Sequence, residues 1–151
     1  MKHIQLISSL LFSLAALFYL TSCSNNDPII PSQNVIENNV KTGAWKITSF
    51  VDSGKDETNH FSGFTFTFGT NNIITSANGS VTYTGTWSIS DSNLNDDKPK
   101  DLAFNILFNL TNDFESLNED WQIVSQTSNR IELIHVSGGN GGTDYLTFEK
   151  Q

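Results

Sequence analysis

The strongest constraint on the fold is an alternation of apolar and polar residues with a period of two. The stretch SVTYTGTWSIS, residues 80–90, shows it most clearly. Hydroxyl-bearing side chains alternate there with apolar ones, and Gly85 is the one gap on the apolar face. The apolar positions are Val81, Tyr83, Trp87 and Ile89. Alternation sustained over about ten residues is typical of a strand with one buried face.

The same pattern recurs along the chain from Ala44 onward. It predicts eight strands, with the sequences AWKITSFV, FTFTFG, NIITSA, SVTYTGTWSIS, DLAFNILFN, DWQIVSQ, NRIELIHV and DYLTFEK. The pair Asn78-Gly79 predicts a type I′ turn, so the third and fourth strands should form an antiparallel hairpin. Eight short antiparallel strands can close into a barrel or divide into a sandwich, and the alternation alone leaves both open.

Two segments outside the strands contain short apolar patches. VIENNV, residues 35–40, is compatible with a helical turn or a strand that covers a barrel end. LTNDFESLNED, residues 110–120, is compatible with one helical turn before Trp121. The acidic loop Asp91–Asp101 lacks the glycine and the final glutamate of a calcium-binding loop, so we predict a solvated loop there.

The first 22 residues have the features of an export signal. A short basic end is followed by the apolar run Ile4–Leu20, which as a helix would span roughly 25 Å, less than the ~30 Å hydrocarbon core of a membrane. The run ends in LTSC, which resembles the lipobox of bacterial lipoproteins. The resemblance implies that Cys23 becomes the first residue of the mature protein and carries acyl chains that anchor it.

The segment after Cys23 is rich in Asn and Ser and contains Pro28 and Pro31. Such a composition predicts a flexible tether. We therefore expect a signal peptide at residues 1–22, a lipidated cysteine and tether at 23–41, and one β domain at 42–151. The expected location is a bacterial cell envelope, in the outer membrane on its periplasmic or surface face.

Charge and motifs exclude several functional classes. The chain has 16 acidic and 8 basic residues, and its net charge of −8 argues against nucleic acid as a partner. A single cysteine excludes an internal disulfide framework. The sequence has no nucleophile elbow, no Cys–His pair and no P-loop. We expect a monomer that is not an enzyme and that uses no cofactor and no metal.

TGAWKI, residues 42–47, matches the Gly-x-Trp signature at the first strand of lipocalins. Further pieces follow in order: FSGFTFTF, NGSVTYTGTWSIS, NEDWQIVS, RIELIHV and YLTFEK. The domain thus resembles the lipocalin-like domain family of Bacteroidetes (flavobacterial-type) lipoproteins. The resemblance implies an all-β, eight-stranded antiparallel up-and-down barrel with Trp45 as a plug at its base. An Arg usually stacks on that Trp, but the last strand offers Lys150, and Arg130 lies one strand earlier.

An eight-stranded barrel is just wide enough to be filled by side chains or to hold one small ligand. The candidates for a ligand pocket or for the barrel core are Trp45, Phe66, Tyr83, Trp87, Phe104, Trp121 and His135. Tyr83 is the favoured pocket wall, because a buried phenol needs a partner and Gly85 predicts a notch beside it. His135 shares the parity of Ile131, so it should face inward and form a hydrogen bond rather than bind a metal.

Two functional classes remain open. In the first, a protein tethered to the membrane by the acyl chains on Cys23 binds a small apolar molecule in its barrel. In the second, the barrel is filled, and the loops of an interaction or scaffold protein contact another protein or a glycan. We favour the first class.

Overall fold

The computed structural model describes residues 31–91, 102–139 and 141–151. The predicted signal peptide, Cys23, the first part of the tether and nearly all of the acidic loop lie outside the described residues. No helix within the described ranges is long and apolar enough to cross a membrane.

The described residues form mostly β-structure. One α-helix, α1 (Gln33–Val40), precedes the strands. The strands are β1 (Trp45–Asp52), β2 (Lys55–Asp56), β3 (Thr65–Phe68), β4 (Ile73–Ala77), β5 (Thr82–Asp91), β6 (Leu102–Leu107), β7 (Asp120–Gln126), β8 (Arg130–Val136) and β9 (Thr143–Lys150). All eight predicted strands are present, and β2 is a two-residue addition that the alternation did not predict.

The strands form a closed antiparallel barrel. Each strand from β3 to β8 pairs with the next one along the chain, and β1 pairs with both β3 and β9. The closing ladder runs from Trp45 opposite Lys150 to Val51 opposite Tyr145. β2 pairs only with the end of β1 in the described chain. The predicted eight-stranded up-and-down barrel is confirmed, and the sandwich is excluded.

α1 lies against the base of the barrel, which we define as the end where β1 begins. Ile36 and Val40 are fully buried. The Gln33 side-chain amide donates a hydrogen bond to the Ile89 carbonyl at the lower end of β5 (3.0 Å). Because this helix packs on the barrel, the last part of the segment predicted as a flexible tether is ordered structure.

A short 3₁₀ helix, Asp113–Leu117, lies at the opposite end, the top, and we call it the cap turn. The helical turn predicted before Trp121 is therefore confirmed. Asn112 caps it by accepting a hydrogen bond from the Phe114 amide (3.1 Å). Phe114 and Leu117 are buried. The barrel thus has a helical element at each end.

The β4–β5 hairpin is confirmed, but its predicted turn type is wrong. A type I′ turn needs positive φ at both central residues, and of the predicted pair only Gly79 has it (φ 86°). The Asn78 side-chain oxygen instead accepts hydrogen bonds from the amides of Ser80 (3.2 Å) and Val81 (3.0 Å). Asn78 therefore supports the turn through its side chain from a position just before the turn centre.

Gly85 marks a close approach and not the notch that the sequence predicted. A Cβ at this position would lie 2.3 Å from the Leu107 carbonyl oxygen and 2.9 Å from a ring carbon of Phe108. β6 and the start of the next loop therefore occupy the space that the missing side chain leaves. The gap in the apolar pattern of β5 is a packing requirement.

Gly85→Ala is expected to destabilise the protein by about 1–3 kcal/mol, because overpacking shifts backbone as well as side chains. Denaturant unfolding of the full chain, followed by circular dichroism, measures the change. Gly138→Ala is the matched control, since a Cβ there meets no atom within 4 Å. Equal stabilities of the two variants would contradict the close approach.

Candidate functional site

Most of the predicted pocket residues belong to a packed core. Trp45, Phe66, Phe104 and Trp121 are fully buried, and Trp87 is 3% exposed. Phe68 connects several strands, with ring centroids 5.5 Å from Trp87, 5.4 Å from Phe104 and 5.5 Å from Phe148. These rings therefore contact one another where a ligand was expected.

Trp45 lies at the base of the barrel. Its indole Nε1–H donates a hydrogen bond to the Val40 carbonyl of α1 (2.9 Å). The Lys150 ammonium lies 4.9 Å from the centre of its ring, a cation–π geometry. Arg130 instead forms ion pairs with Glu132 and Glu149. The cation that stacks on Trp45 is therefore Lys150.

Tyr83 lies at the top and is half-buried, but it does not line an open mouth. Its ring stacks on Phe64, with centroids 5.9 Å apart and an interplanar angle of 21°. The edge of Phe114 contacts it at 4.9 Å. Phe114 also packs against Phe61, Phe66 and Phe108 at 5.0–5.9 Å. The cap turn thus inserts Phe114 between the walls of the barrel top.

His135 lies at the top rim, with its side chain 18% exposed. Its ring packs edge-on against Trp121 at 6.0 Å. Nδ1 lies 3.4 Å from Asp144 Oδ2, and Nε2 lies 3.4 Å from Glu119 Oε2 and 3.8 Å from Asp120 Oδ1. The sequence pattern predicted a hydrogen bond and no metal for this histidine, and the fold brings three carboxylates to it.

A cleft opens in the barrel wall between β1 and β3. These strands share one residue pair, Trp45 opposite Phe66, before they diverge. Below the cleft, the Gln151 side-chain amide donates to Thr65 Oγ1 (3.1 Å). Above it, the Thr58 hydroxyl accepts a hydrogen bond from the Phe50 amide (2.8 Å). The gap is an open cleft of about 820 Å³ in the barrel surface.

The cleft has an apolar floor and a polar rim. Phe61 and Ile47 are buried beneath it, and Phe64 is half-buried at its upper side. Its rim carries side chains that can form hydrogen bonds or carry charge: Lys46, Thr48, Asp56, Thr58, Asn59, Ser62 and Gln151. This arrangement suits a ligand with an apolar body and polar substituents.

Asp56 supplies negative charge at the rim. Hydrogen bonds from the hydroxyl and then from the amide of Thr58 lower the pKa of its carboxyl group below the usual value of 3.8. A lowered carboxyl pKa means that the carboxylate form dominates above that pH. At neutral pH the rim therefore presents the Asp56 carboxylate.

Period-two alternation does not predict the cleft, because alternation indicates only which face of a strand is buried. One signal was available. The stretch from residue 52 to residue 63 is long and polar compared with the usual connection of roughly 4–6 residues. A long connection between the first two predicted strands is compatible with incomplete pairing, but it does not identify the residues that line a gap.

The carboxylates around His135 could have been found from register. β7 and β8 are antiparallel, so the beginning of β7 must lie beside the end of β8, and Gln122 lies opposite Ile134. Register alone therefore places residues 119 and 120 near residue 135. The contribution of Asp144 follows from its position opposite His135 in β9.

Neither the comparison with protein-family models nor that with curated proteins finds a match for this chain. Among solved structures, the chain is similar to the crystal structure of a DUF4847 family protein from Bacteroides vulgatus ATCC 8482. The two share 19% sequence identity, and the similarity covers 77% of this chain and 99% of that one, with a TM-score of 0.48.

Phe114→Ala is expected to destabilise the full chain by about 3–5 kcal/mol, because it removes a buried ring that five other aromatic rings contact. Thermal and denaturant unfolding measure the loss. Leu107→Ala is the control, since Leu107 is 56% exposed and its truncation should change stability by less than about 0.5 kcal/mol. A loss at Phe114 no larger than the control's would mean that the cap turn does not close the barrel.

Proposed function

We propose that this chain is a lipid-anchored, non-enzymatic binding protein of a bacterial cell envelope and that its ligand binds in the cleft between β1 and β3. The observation that supports this proposal most directly is the cleft itself, an open groove of about 820 Å³ with an apolar floor. Small-molecule sites in proteins typically occupy ~300–1,000 Å³. The proposal keeps the binding function favoured from the sequence and moves its site out of the barrel interior.

Packing supports this change of site. An apolar ligand inside the barrel would have to displace rings such as Phe68 and Phe104, whose edges contact at 5.4 Å. Protein cores have crystal-like density, and forcing extra volume into them costs about 1–3 kcal/mol or more. The cleft needs no such displacement, because its floor is already at the surface of the core.

The rim chemistry narrows the ligand class. A purely apolar molecule would cover Asp56 and Lys46 without offering them partners, and burying unpaired charge is costly. A molecule with a flat or chain-like apolar body and hydroxyl, amide or zwitterionic substituents avoids that cost. We therefore propose an amphipathic small molecule as the ligand.

The membrane anchor rests on Cys23. The residues that support it are the signal-like segment before it and the LTSC sequence, which resembles a lipobox. Two or three acyl chains suffice for stable attachment, since each buried CH₂ contributes ~0.8 kcal/mol. The filled interior favours the second functional class, a scaffold that contacts a protein or glycan through its loops. The experiments below distinguish this class from a small-molecule binding protein.

Native mass spectrometry of the full chain, purified from the envelope of a Gram-negative host, is expected to show a bound small molecule that organic extraction removes. Ser62→Trp should abolish this adduct, because an indole at the rim covers the apolar floor. Ser80→Trp is the matched control, since Ser80 is exposed in the β4–β5 turn and does not line the cleft. It should retain the adduct.

An adduct that persists in Ser62→Trp would place the ligand elsewhere. If the wild type and both variants carry no adduct, the small-molecule proposal is rejected. Chemical cross-linking in intact cells would then test the scaffold class, for which one reproducible partner is the expected result.

Cys23→Ser is expected to prevent acylation, because serine lacks the thiol that receives the lipid. Metabolic labelling with a radioactive fatty acid measures the modification, and fractionation of cells into soluble and membrane pools measures the anchor. The wild type should be labelled and recovered in the membrane pool, and the variant should carry no label. Label on the variant would refute the assignment of Cys23.

A further inference from the structure

We propose that Glu119, Asp120 and His135 form a binding site for a first-row divalent cation, with Zn²⁺ as its representative, at the top rim of the barrel. The three residues offer one imidazole nitrogen and two carboxylate oxygens, and these atoms all lie within 4.8 Å of one another. The site is separate from the cleft: His135 lies on β8, and the cleft lies on the side of β1 that faces β3.

The two distances from His135 are close to those between neighbouring ligand atoms of a single ion. Zn²⁺ binds histidine nitrogen and carboxylate oxygen at about 2.0–2.2 Å, so ligand atoms around a tetrahedral ion lie roughly 3.3–3.5 Å apart. His135 Nε2 lies 3.4 Å from Glu119 Oε2 and 3.8 Å from Asp120 Oδ1. The Asp120 side chain is 76% exposed, so its carboxylate can move a few tenths of an ångström toward His135 against little packing.

The second nitrogen of His135 is held as in many metal-binding histidines. Such a histidine commonly donates its other ring N–H to a carboxylate, which fixes the ring and increases its basicity. Here Nδ1 lies 3.4 Å from Asp144 Oδ2. The other oxygen of Asp144 accepts a hydrogen bond from the Ser53 amide at the β1–β2 turn (2.7 Å). Asp144 is 8% exposed, so backbone and burial together fix its orientation.

The backbone around the donors is also fixed. The Ile106 amide donates to the Glu119 carbonyl (3.2 Å), and Asp120 lies opposite Asn105 in the β6–β7 ladder. The His135 ring contacts the buried Trp121. Asp120 is the first residue of β7, and Glu119 directly precedes it. His135 lies on the adjacent strand, β8. Sites built on strands hold their geometry better than sites built on loops.

Charge at the rim favours a cation. Glu119, Asp120 and Asp144 place three carboxylates around one imidazole. Within the described ranges, none of the three forms an ion pair with a lysine or arginine. A divalent ion offsets two of these negative charges and leaves the imidazole neutral, which is the form that binds metal.

The donor set indicates the class of ion. Imidazole nitrogen suits Zn²⁺, Ni²⁺ and Co²⁺, whereas all-oxygen sets suit Mg²⁺ and Ca²⁺. Three protein ligands leave the fourth tetrahedral position for a water molecule or for an exogenous donor. The site therefore differs from a closed structural zinc site, which uses four protein ligands.

Isothermal titration of the metal-stripped full chain with Zn²⁺, in non-ionic detergent, tests the proposal. We expect one Zn²⁺ per chain, and Co²⁺ in its place should give the visible absorption bands of a tetrahedral ion. Asp144→Asn should weaken binding by about 10–100-fold, as is typical of residues that orient a ligand. His135→Gln, which removes a ligand directly, should weaken it by more than this.

His60→Gln is the matched control and should bind Zn²⁺ like the wild type. His60 also lies near two carboxylates, those of Glu57 and Asp113. One of them contacts Nε2 and the other Nδ1, so they lie on opposite sides of the ring and do not converge on one point.

Asp120→Asn keeps the experiment decisive if His135→Gln fails to fold, because the Asp120 side chain is largely exposed. It should weaken Zn²⁺ binding while leaving the unfolding temperature of the metal-free protein unchanged. Absence of Zn²⁺ binding by the wild type, or equal affinity in wild type and Asp120→Asn, would overturn the proposal.

Discussion

β1 is the strand that closes the barrel, and the rest of the structure depends on how its backbone hydrogen bonds are shared between β3 and β9. It forms a six-pair ladder with β9 and shares one pair with β3. A bulge between Ile47 and Ser49 turns the strand partway along the β9 ladder. Because β1 follows β9 along its length, it diverges from β3, and the wall opens on that side. Closure of the barrel and formation of the cleft are thus two results of one constraint.

The interior of the barrel follows from the side chains that the alternation places there. Large rings occupy successive inward positions, and they meet edge to face at about 5.4–5.5 Å around Phe68. Such contacts add about 0.5–1.5 kcal/mol each beyond burial of area. α1 and the cap turn then bury the two ends. In a barrel filled in this way, polar side chains lie on the wall and the rim.

The sequence predicted the strands well and the candidate site poorly. Period-two alternation depends on local geometry, so residues such as Phe66, Phe104 and Trp87 were assigned to the buried face from the sequence. Whether a buried face lines a cavity depends on what approaches from other strands. Tyr83 and Gly85 show the difference: the expected notch is occupied by Phe108 and the Leu107 carbonyl, which are distant in sequence.

The sequence by itself determined the all-β class, the order of the strands, and which residues face inward, because alternation, hairpin turns and polarity are local properties. The tertiary structure alone decided that the barrel is filled, that its wall opens beside β1, and that Asp144, which contacts His135, is held against Ser53. Those features depend on ladder register and on contacts between strands far apart in the chain. Asp144 and Ser53 meet across 91 positions, and only closure of the barrel brings them together.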